Sequence, residues 1–300
     1  MSDVKELLQH IRVGDKKSLA RCITIVENEL DGHEELLHSL TFKKEIPVIG
    51  FTGPPGAGKS TLINAFINVI LKQGKKVGVI AIDPTSPFNY GSLLGDRLRM
   101  GDHFNNEHVF IRSLATRGSL GGLSAKAIEV VDVMKQSDFD LIIIETVGVG
   151  QSEVEIVGLA DVTVLVLVPE SGDEVQTLKS GVMEIADIFV VNKSDRPGAD
   201  AFMKNIIALI QSKHAEEETP VIKTNASSGK GAEELLDSVM KILPAKKNEK
   251  KIFLLAEKAF HLLQQKRMKG ISKKELAEKL AEASKQKNFN LYHWVINHQS

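Results

Sequence analysis

Cysteine is nearly absent from this chain. Its 300 residues include one, Cys22, which excludes a disulfide framework and any metal site built from several thiolates. The neighbours Ala20, Ile23 and Val26 put that thiol on a buried helix face. No apolar stretch reaches the roughly 20 residues of a membrane span. The N-terminus carries Asp3 and Glu6 and lacks a basic region followed by an apolar one. Neither a secretory nor a typical transit signal is read there, and the expected compartment is a reducing cytosol, so the localisation expected is cytoplasmic. Internal repeats and low-complexity segments are missing too. Net charge is almost nil, −1, which removes a global electrostatic argument for nucleic acid or membrane binding. The distribution is uneven, however. Residues 244–300 hold thirteen Lys/Arg and five Asp/Glu, a balance of +8, so the preceding 243 residues carry −9. Such a tail suits contact with nucleic acid or an acidic partner; the simpler reading, preferred here, is a solvated helix face with lysines around an apolar stripe.

What is present is ordinary in bulk and specific in detail. The chain is 42% hydrophobic and 26% charged, enough for a full core in one large or two small domains. Residues 53–60 read Gly53-Pro54-Pro55-Gly56-Ala57-Gly58-Lys59-Ser60, the G-x-x-x-x-G-K-[ST] phosphate loop, and Thr61 follows. Glycines let backbone N–H groups wrap a β-phosphate, Lys59 reaches the β- and γ-phosphates, and the Ser60 hydroxyl suits Mg²⁺. An apolar run at 46–51 precedes the loop. Leu62, Ile63, Phe66, Ile67 and Ile70 follow it at helical spacing, with Gly74 as a stop. Strand, loop and helix together put an anion at a helix N-terminus.

A second motif selects the base. The apolar run 185–191 ends in Asn192-Lys193-Ser194-Asp195. A carboxylate in the base plane accepts from guanine N1–H and N2–H, a donor pair adenine lacks, so ATP leaves Asp195 unpaired. The Lys193 stem covers the base, and Asn192 ties this loop to the phosphate loop. The loop at 224–228 offers backbone N–H groups, Ala226 among them, to guanine O6. GTP or GDP with Mg²⁺ is therefore the expected ligand set.

Residues 3–40 read as helical, with Asp15 as an N-cap. Apolar strand runs at 46–51, 77–82, 108–112, 139–145, 161–168, 187–192 and 220–223 alternate with helical patterns, which predicts an α/β fold with a mainly parallel sheet and helices on both faces. After Pro244 only helices are read. Ile252, Leu255, Ala259, Leu262 and Leu263 form a stripe, and Ser272-Lys273-Lys274-Glu275 is a capping box with Ile271 and Leu276 as its staple. The expected organisation is an N-terminal helical segment at 1–43, a P-loop GTPase domain at 44–243 and a helical extension at 244–300.

Five acidic or flexible segments complete the candidate site. The run 141–144 ends in Glu145-Thr146-Val147-Gly148, where a carboxylate reaches Mg²⁺ and the Gly148 N–H reaches a γ-phosphate. Val149 then stands where a Ras-type enzyme has its water-orienting glutamine, so slow hydrolysis that a partner stimulates is expected. Asp83 and Asp96 are further candidates for Mg²⁺ or for water; Asp83 also reads as a cap before Pro84, and Asp96 as a surface charge. Gly118, Gly121 and Gly122 mark a bendable loop before a helix at 123–134. Gly172, Asp173, Glu174 and Gln176, with Lys179 one turn on, mark another.

These blocks resemble the MeaB/ArgK G-proteins, GTPase chaperones of adenosylcobalamin-dependent acyl-CoA mutases, within the class of signal-recognition-particle-like (SIMIBI-type) P-loop proteins. The resemblance rests on residues 53–61, 83–100, 112–126, 145–153, 172–176 and 186–195, with 15–21 in support, and spans roughly residues 10–240. The block opened by Glu145, where most GTPases have aspartate, is the most specific part. The resemblance implies a GTPase that gates adenosylcobalamin delivery to methylmalonyl-CoA mutase or a relative and protects it. It implies Mg²⁺ ligation by Ser60 with Asp83, Asp96 or Glu145, a switch role for residues 172–179, and a homodimer through the C-terminal helices. Glu170 and Ser171 depart from the pattern of many family members, which have a glycine after Pro169. The tail carries no family motif.

Three other functions compete. A nickel-inserting maturation GTPase needs a His/Cys cluster, and the nine histidines are scattered. A small-molecule kinase tied to amino-acid transport needs an acceptor domain and usually adenine. A nucleic-acid-associated GTPase would use the basic tail.

Overall fold

The computed structural model describes residues 4–42, 45–83, 100–103, 105–115, 125–146, 156–170, 186–213, 219–268, 271–286 and 288–297. Three helices open the chain: α1 (Val4–Arg12), α2 (Lys16–Glu27) and α3 (His33–His38). Asp15 caps α2, accepting from Lys17 N and Ser18 N. Seven strands follow, β1 (Val48–Thr52), β2 (Val77–Asp83), β3 (Val109–Ala115), β4 (Leu141–Thr146), β5 (Val162–Leu167), β6 (Ile188–Val191) and β7 (Val221–Lys223), joined by α4 (Lys59–Lys72), α5 (Ala125–Met134) and α6 (Ala199–Lys213). They form one sheet in the order β3-β2-β4-β1-β5-β6-β7. Every pairing in it is parallel. The expected α/β class with its parallel sheet is the observed one.

Strand composition explains the burial. In β1, β4, β5 and β6 every residue is buried, the continuous apolar pattern of strands covered on both faces. Side chains alternate between faces. Val48, Ile80, Ile142 and Ile144 join α1, α2, α3 and α5 in one core, while Ile49, Phe51, Val79 and Ile143 join α4 in a second. The N-terminal helices thus share a core with one face of the sheet. The sheet turns over at β1, which lies between β4 and β5. Open parallel sheets bind ligands at the carboxyl ends of strands beside such a crossover.

Beyond β7, α7 (Ala232–Met268) runs through Pro244, where the sequence reading put a boundary. The chain divides into two compact units, Met1–Lys258 and Ala259–Ser300. A tertiary contact holds the later turns of α7. Lys258 Nζ sits 3.0 Å from Asp132 Oδ1 of α5, both half-buried, so the helix stays with the first unit well past Pro244. The second unit holds the end of α7 with α8 (Lys273–Ala283) and α9 (Leu291–Asn297). Ser272 caps α8, accepting from Glu275 N at 3.4 Å. In this unit Phe260, Leu263, Ile271, Leu291 and Ile296 are exposed. Among the described residues no helix is long and apolar enough to cross a membrane.

Candidate functional site

The carboxyl end of β1 passes from Thr52 into a loop that ends where α4 begins. Two glycines are required there by contact as well as by φ. Gly53 has φ +136, and a Cβ on it would lie 2.1 Å from Val166 O. Gly58, the N-cap of α4, has φ +83, and a Cβ on it would lie 2.5 Å from Asn192 Nδ2. Val166 O is sheet backbone and the Asn192 amide is held by its hydrogen bond to Ala57 O, so no larger residue keeps this loop shape. Pro55 and Gly56 are exposed at the crest, and Ala57 is buried beneath it. The first amides of α4, at Lys59, Ser60 and Thr61, precede the helix's own hydrogen-bond ladder, which starts with Leu62 N donating to Gly58 O at 2.9 Å. Amides at this position are anion donors.

Lys59 and Ser60 face opposite tasks. The Lys59 ammonium donates to Gly53 O at 2.7 Å and Pro54 O at 3.0 Å, folded back across the loop it follows. It is 6% exposed. The Ser60 hydroxyl donates to Glu145 Oε1 at 2.6 Å, and both residues are buried. Glu145 reaches Ser60 because β4 lies beside β1, with Glu145 in register with Phe51 and with Ala81 of β2. A buried hydroxyl against a buried carboxylate is a pair of hard oxygen donors, which fits Mg²⁺ rather than a softer metal.

The base-reading loop follows β6. Asn192, 1% exposed, is its hub. Its Nδ2 donates to Ala57 O at 2.8 Å, and its Oδ1 accepts from Thr224 Oγ1 at 3.0 Å and Ala226 N at 3.1 Å. One amide thereby joins the phosphate loop, β6 and the turn after β7. The Ala226 amide, assigned to guanine O6 from the sequence, is engaged by Asn192 here. Lys193 has φ +53, a left-handed turn that a lysine adopts at some cost. Ser194 N donates to Thr224 O at 3.0 Å, and Asp195 beyond it is exposed. Arg196 pairs with Glu170, whose carboxyl lies below its usual range because of that hydrogen bond.

The structure therefore brings together residues 53–61, Glu145, Asn192, Lys193, Asp195 and Ala226. Asp83 ends β2, in register with Ala115 of β3; its side chain lies outside the described residues, as do Asp96, Gly148, Gly172, Asp173, Glu174, Gln176 and Lys179. One pair went unread in the sequence. The Thr146 hydroxyl donates to Thr52 Oγ1 at 3.0 Å, both side chains fully buried. It zips β4 to β1 directly after Glu145 and directly before the phosphate loop. The available signal was a threonine closing each of two strands that, Glu145 apart, are otherwise apolar.

The chain is similar in sequence and in fold to known proteins. A family model described as "Methylmalonyl Co-A mutase-associated GTPase MeaB" matches residues 19–284. A putative GTPase of Pyrococcus abyssi is 49% identical over 242 residues, covering 79% of this chain and 75% of its own. The mouse protein named "Methylmalonic aciduria type A homolog, mitochondrial" is 35% identical over 252 residues, covering 75% of this chain and 60% of its own. Among solved structures, an "LAO/AO transport system kinase" superposes with TM-score 0.68 at 25% identity, covering 94% of this chain and 91% of that one.

Proposed function

The chain belongs to the MeaB family of GTPases, and from that premise we propose that it is a GTP-driven chaperone of an adenosylcobalamin-dependent acyl-CoA mutase, methylmalonyl-CoA mutase or a relative. GTP hydrolysis is the activity of the family. The finer assignment is supported by the family's description as mutase-associated and by the name of the mouse relative. In this reading the protein gates delivery of the cobalamin cofactor and protects the mutase.

The observation that carries the nucleotide chemistry is the Ser60–Glu145 contact at 2.6 Å beside the α4 amides. Residues 53–61 bind the phosphates, with Lys59 swinging from Gly53 O and Pro54 O onto the β- and γ-oxygens. Asp195 accepts from guanine, Lys193 covers the base, and Asn192 holds the two loops in register. Ser60 would hold Mg²⁺, with Glu145, Asp83 or Asp96 ligating directly or through water. Bound there, Mg²⁺ neutralises charge developing on the phosphate oxygens during phosphoryl transfer. Glu145 accepts a hydrogen bond from the Ser60 hydroxyl and so fixes its rotamer. Gly148 is assigned to the γ-phosphate. Residues Gly172, Asp173, Glu174, Gln176 and Lys179 are assigned to a switch loop that reports nucleotide state to the client. Val149 leaves the isolated protein without a water-orienting side chain at that position, so turnover is slow until a partner completes the site. The exposed apolar residues of the second unit support a homodimer.

The test has two arms. Protein loaded with a non-hydrolysable GTP analogue should capture an acyl-CoA mutase, GDP-loaded protein should capture less, and the mutase should raise the single-turnover hydrolysis rate. Capture that ignores the nucleotide, with no change in rate, would defeat the chaperone assignment.

A further inference from the structure

We propose that Glu170 guards the base-reading carboxylate: by holding Arg196 it keeps that guanidinium off Asp195, so that Asp195 stays free for guanine. This role rests on the reading of Asp195 as the guanine contact. In sequence, Asp195 is flanked by cations, with Lys193 two residues before it and Arg196 directly after. A guanidinium suits a carboxylate especially well, because its planar fork matches both oxygens. An arginine one peptide bond from a base-reading aspartate is therefore a built-in competitor. It competes for the same oxygens that guanine N1–H and N2–H must reach.

The sheet supplies a second carboxylate to hold that arginine. β5 and β6 are parallel neighbours, with Leu167 level with Val191, and Asn192 N donates to Leu167 O at 2.8 Å. The two chains leave the sheet side by side, which sets the turn at Glu170 beside the loop 192–196. There the Arg196 guanidinium donates through Nη1 to Glu170 Oε1. That bond is the largest influence holding the Glu170 carboxyl below its usual range, and the Lys193 charge acts in the same direction. Glu170 thus answers both cations that flank Asp195. Asp195 itself is exposed, and among the described residues its carboxylate has no hydrogen-bond or ion-pair partner.

The loop around Asp195 has backbone supports of its own. Ser194 N donates to Thr224 O at 3.0 Å, beyond β7, and Arg196 N donates to Lys193 O at 3.0 Å, closing the turn. The Glu170–Arg196 pair is half-exposed at both ends, 45% and 48%, and pairs in that setting contribute little to folding. A weak preference is enough for a guard, since it has only to bias Arg196 between two carboxylates. Glu170 touches no atom of the nucleotide in this scheme. It is a positioning residue that acts through Arg196 on base specificity.

Inosine triphosphate keeps the N1–H and lacks the 2-amino group, so the ratio of GTP to inosine triphosphate affinity reads the Asp195 contact. Titration calorimetry on the full chain should give the wild-type protein a preference for GTP of about tenfold or more. Glu170→Gln keeps the shape and removes the charge. It should melt with wild type, while the preference falls about three- to fivefold, the range that a half-exposed ion pair supports. Adding Arg196→Met to Glu170→Gln removes the competitor and should restore the wild-type preference. An unchanged preference in Glu170→Gln would overturn the guard. So would a lowered preference that Arg196→Met fails to restore, because Glu170 would then act by shaping the loop. Equal binding of the two nucleotides by wild type would instead refute the assignment of Asp195 to the base, and the guard with it.

Discussion

Replacing Asn192 by alanine isolates the joint between the two nucleotide loops. The side chain is 1% exposed and makes three hydrogen bonds, to Ala57 O, Thr224 Oγ1 and Ala226 N. Each contributes about 1 kcal/mol net, and the Ala57 carbonyl and Ala226 amide are left buried without this partner, so the total loss is about 3 kcal/mol. In a domain of this size that lowers Tm by roughly 6–10 °C. Nucleotide binding needs the phosphate loop and the Asp195 loop in register. If half of the loss falls on that register, GTP affinity drops about tenfold. Differential scanning calorimetry and isothermal titration with GTP measure the two quantities on the same sample. Asn192→Asp should be at least as harmful, because it keeps the shape but sets a carboxylate oxygen against Ala57 O. A Tm within about 2 °C of wild type, together with a GTP Kd within about twofold, would refute the hub role.

Two further outcomes follow from other contacts. Thr146→Val keeps side-chain volume and removes the hydroxyl bonded to Thr52 at 3.0 Å; stability should fall by about 1–2 kcal/mol in urea unfolding, and the half-saturating Mg²⁺ concentration for hydrolysis should rise. Asp15→Ala removes the α2 cap and should cost about 1 kcal/mol at neutral pH. The Asp15 carboxyl lies below its usual range because the Ser18 hydroxyl and amide bond to it, outweighing a smaller opposing effect of burial. Its folded pKa is therefore depressed, so its contribution is present above the unfolded value near about pH 4 and lost as pH falls through the folded one. Urea titrations at neutral and acid pH should show the gap between wild type and variant closing only on the acid side.

The sheet was legible because both of its faces are covered. The strand 141–146 is buried at every residue and opens on the aliphatic run 141–144, and seven apolar runs separated by helical patterns admit little but a parallel α/β layer. The phosphate and base loops were legible because glycine, lysine and aspartate are chosen there for geometry and charge, not for packing. The joint at Asn192 was legible for the same reason. The Thr52–Thr146 zipper was not, because its partners lie 94 residues apart in sequence and meet only once the sheet order is known. The run of α7 through Pro244 escaped because a proline interior to a helix is read as a stop, while the Lys258–Asp132 pair that holds the later turns is a tertiary contact. The pairing of Ala226 N with Asn192 escaped likewise, since a free backbone amide cannot be told from an engaged one by residue type.

The most direct measurement of the central claim exchanges the base. Asp195 is assigned to accept from guanine N1–H and N2–H; xanthine replaces the N2 donor by a carbonyl acceptor. Asp195→Asn supplies a donor in the same shape, so titration calorimetry should show GTP affinity falling by about tenfold or more and xanthosine triphosphate affinity rising by a similar factor, with the phosphate contacts of residues 53–61 unchanged. Equal GTP binding by wild type and Asp195→Asn, with no gain for xanthosine triphosphate, would contradict the account.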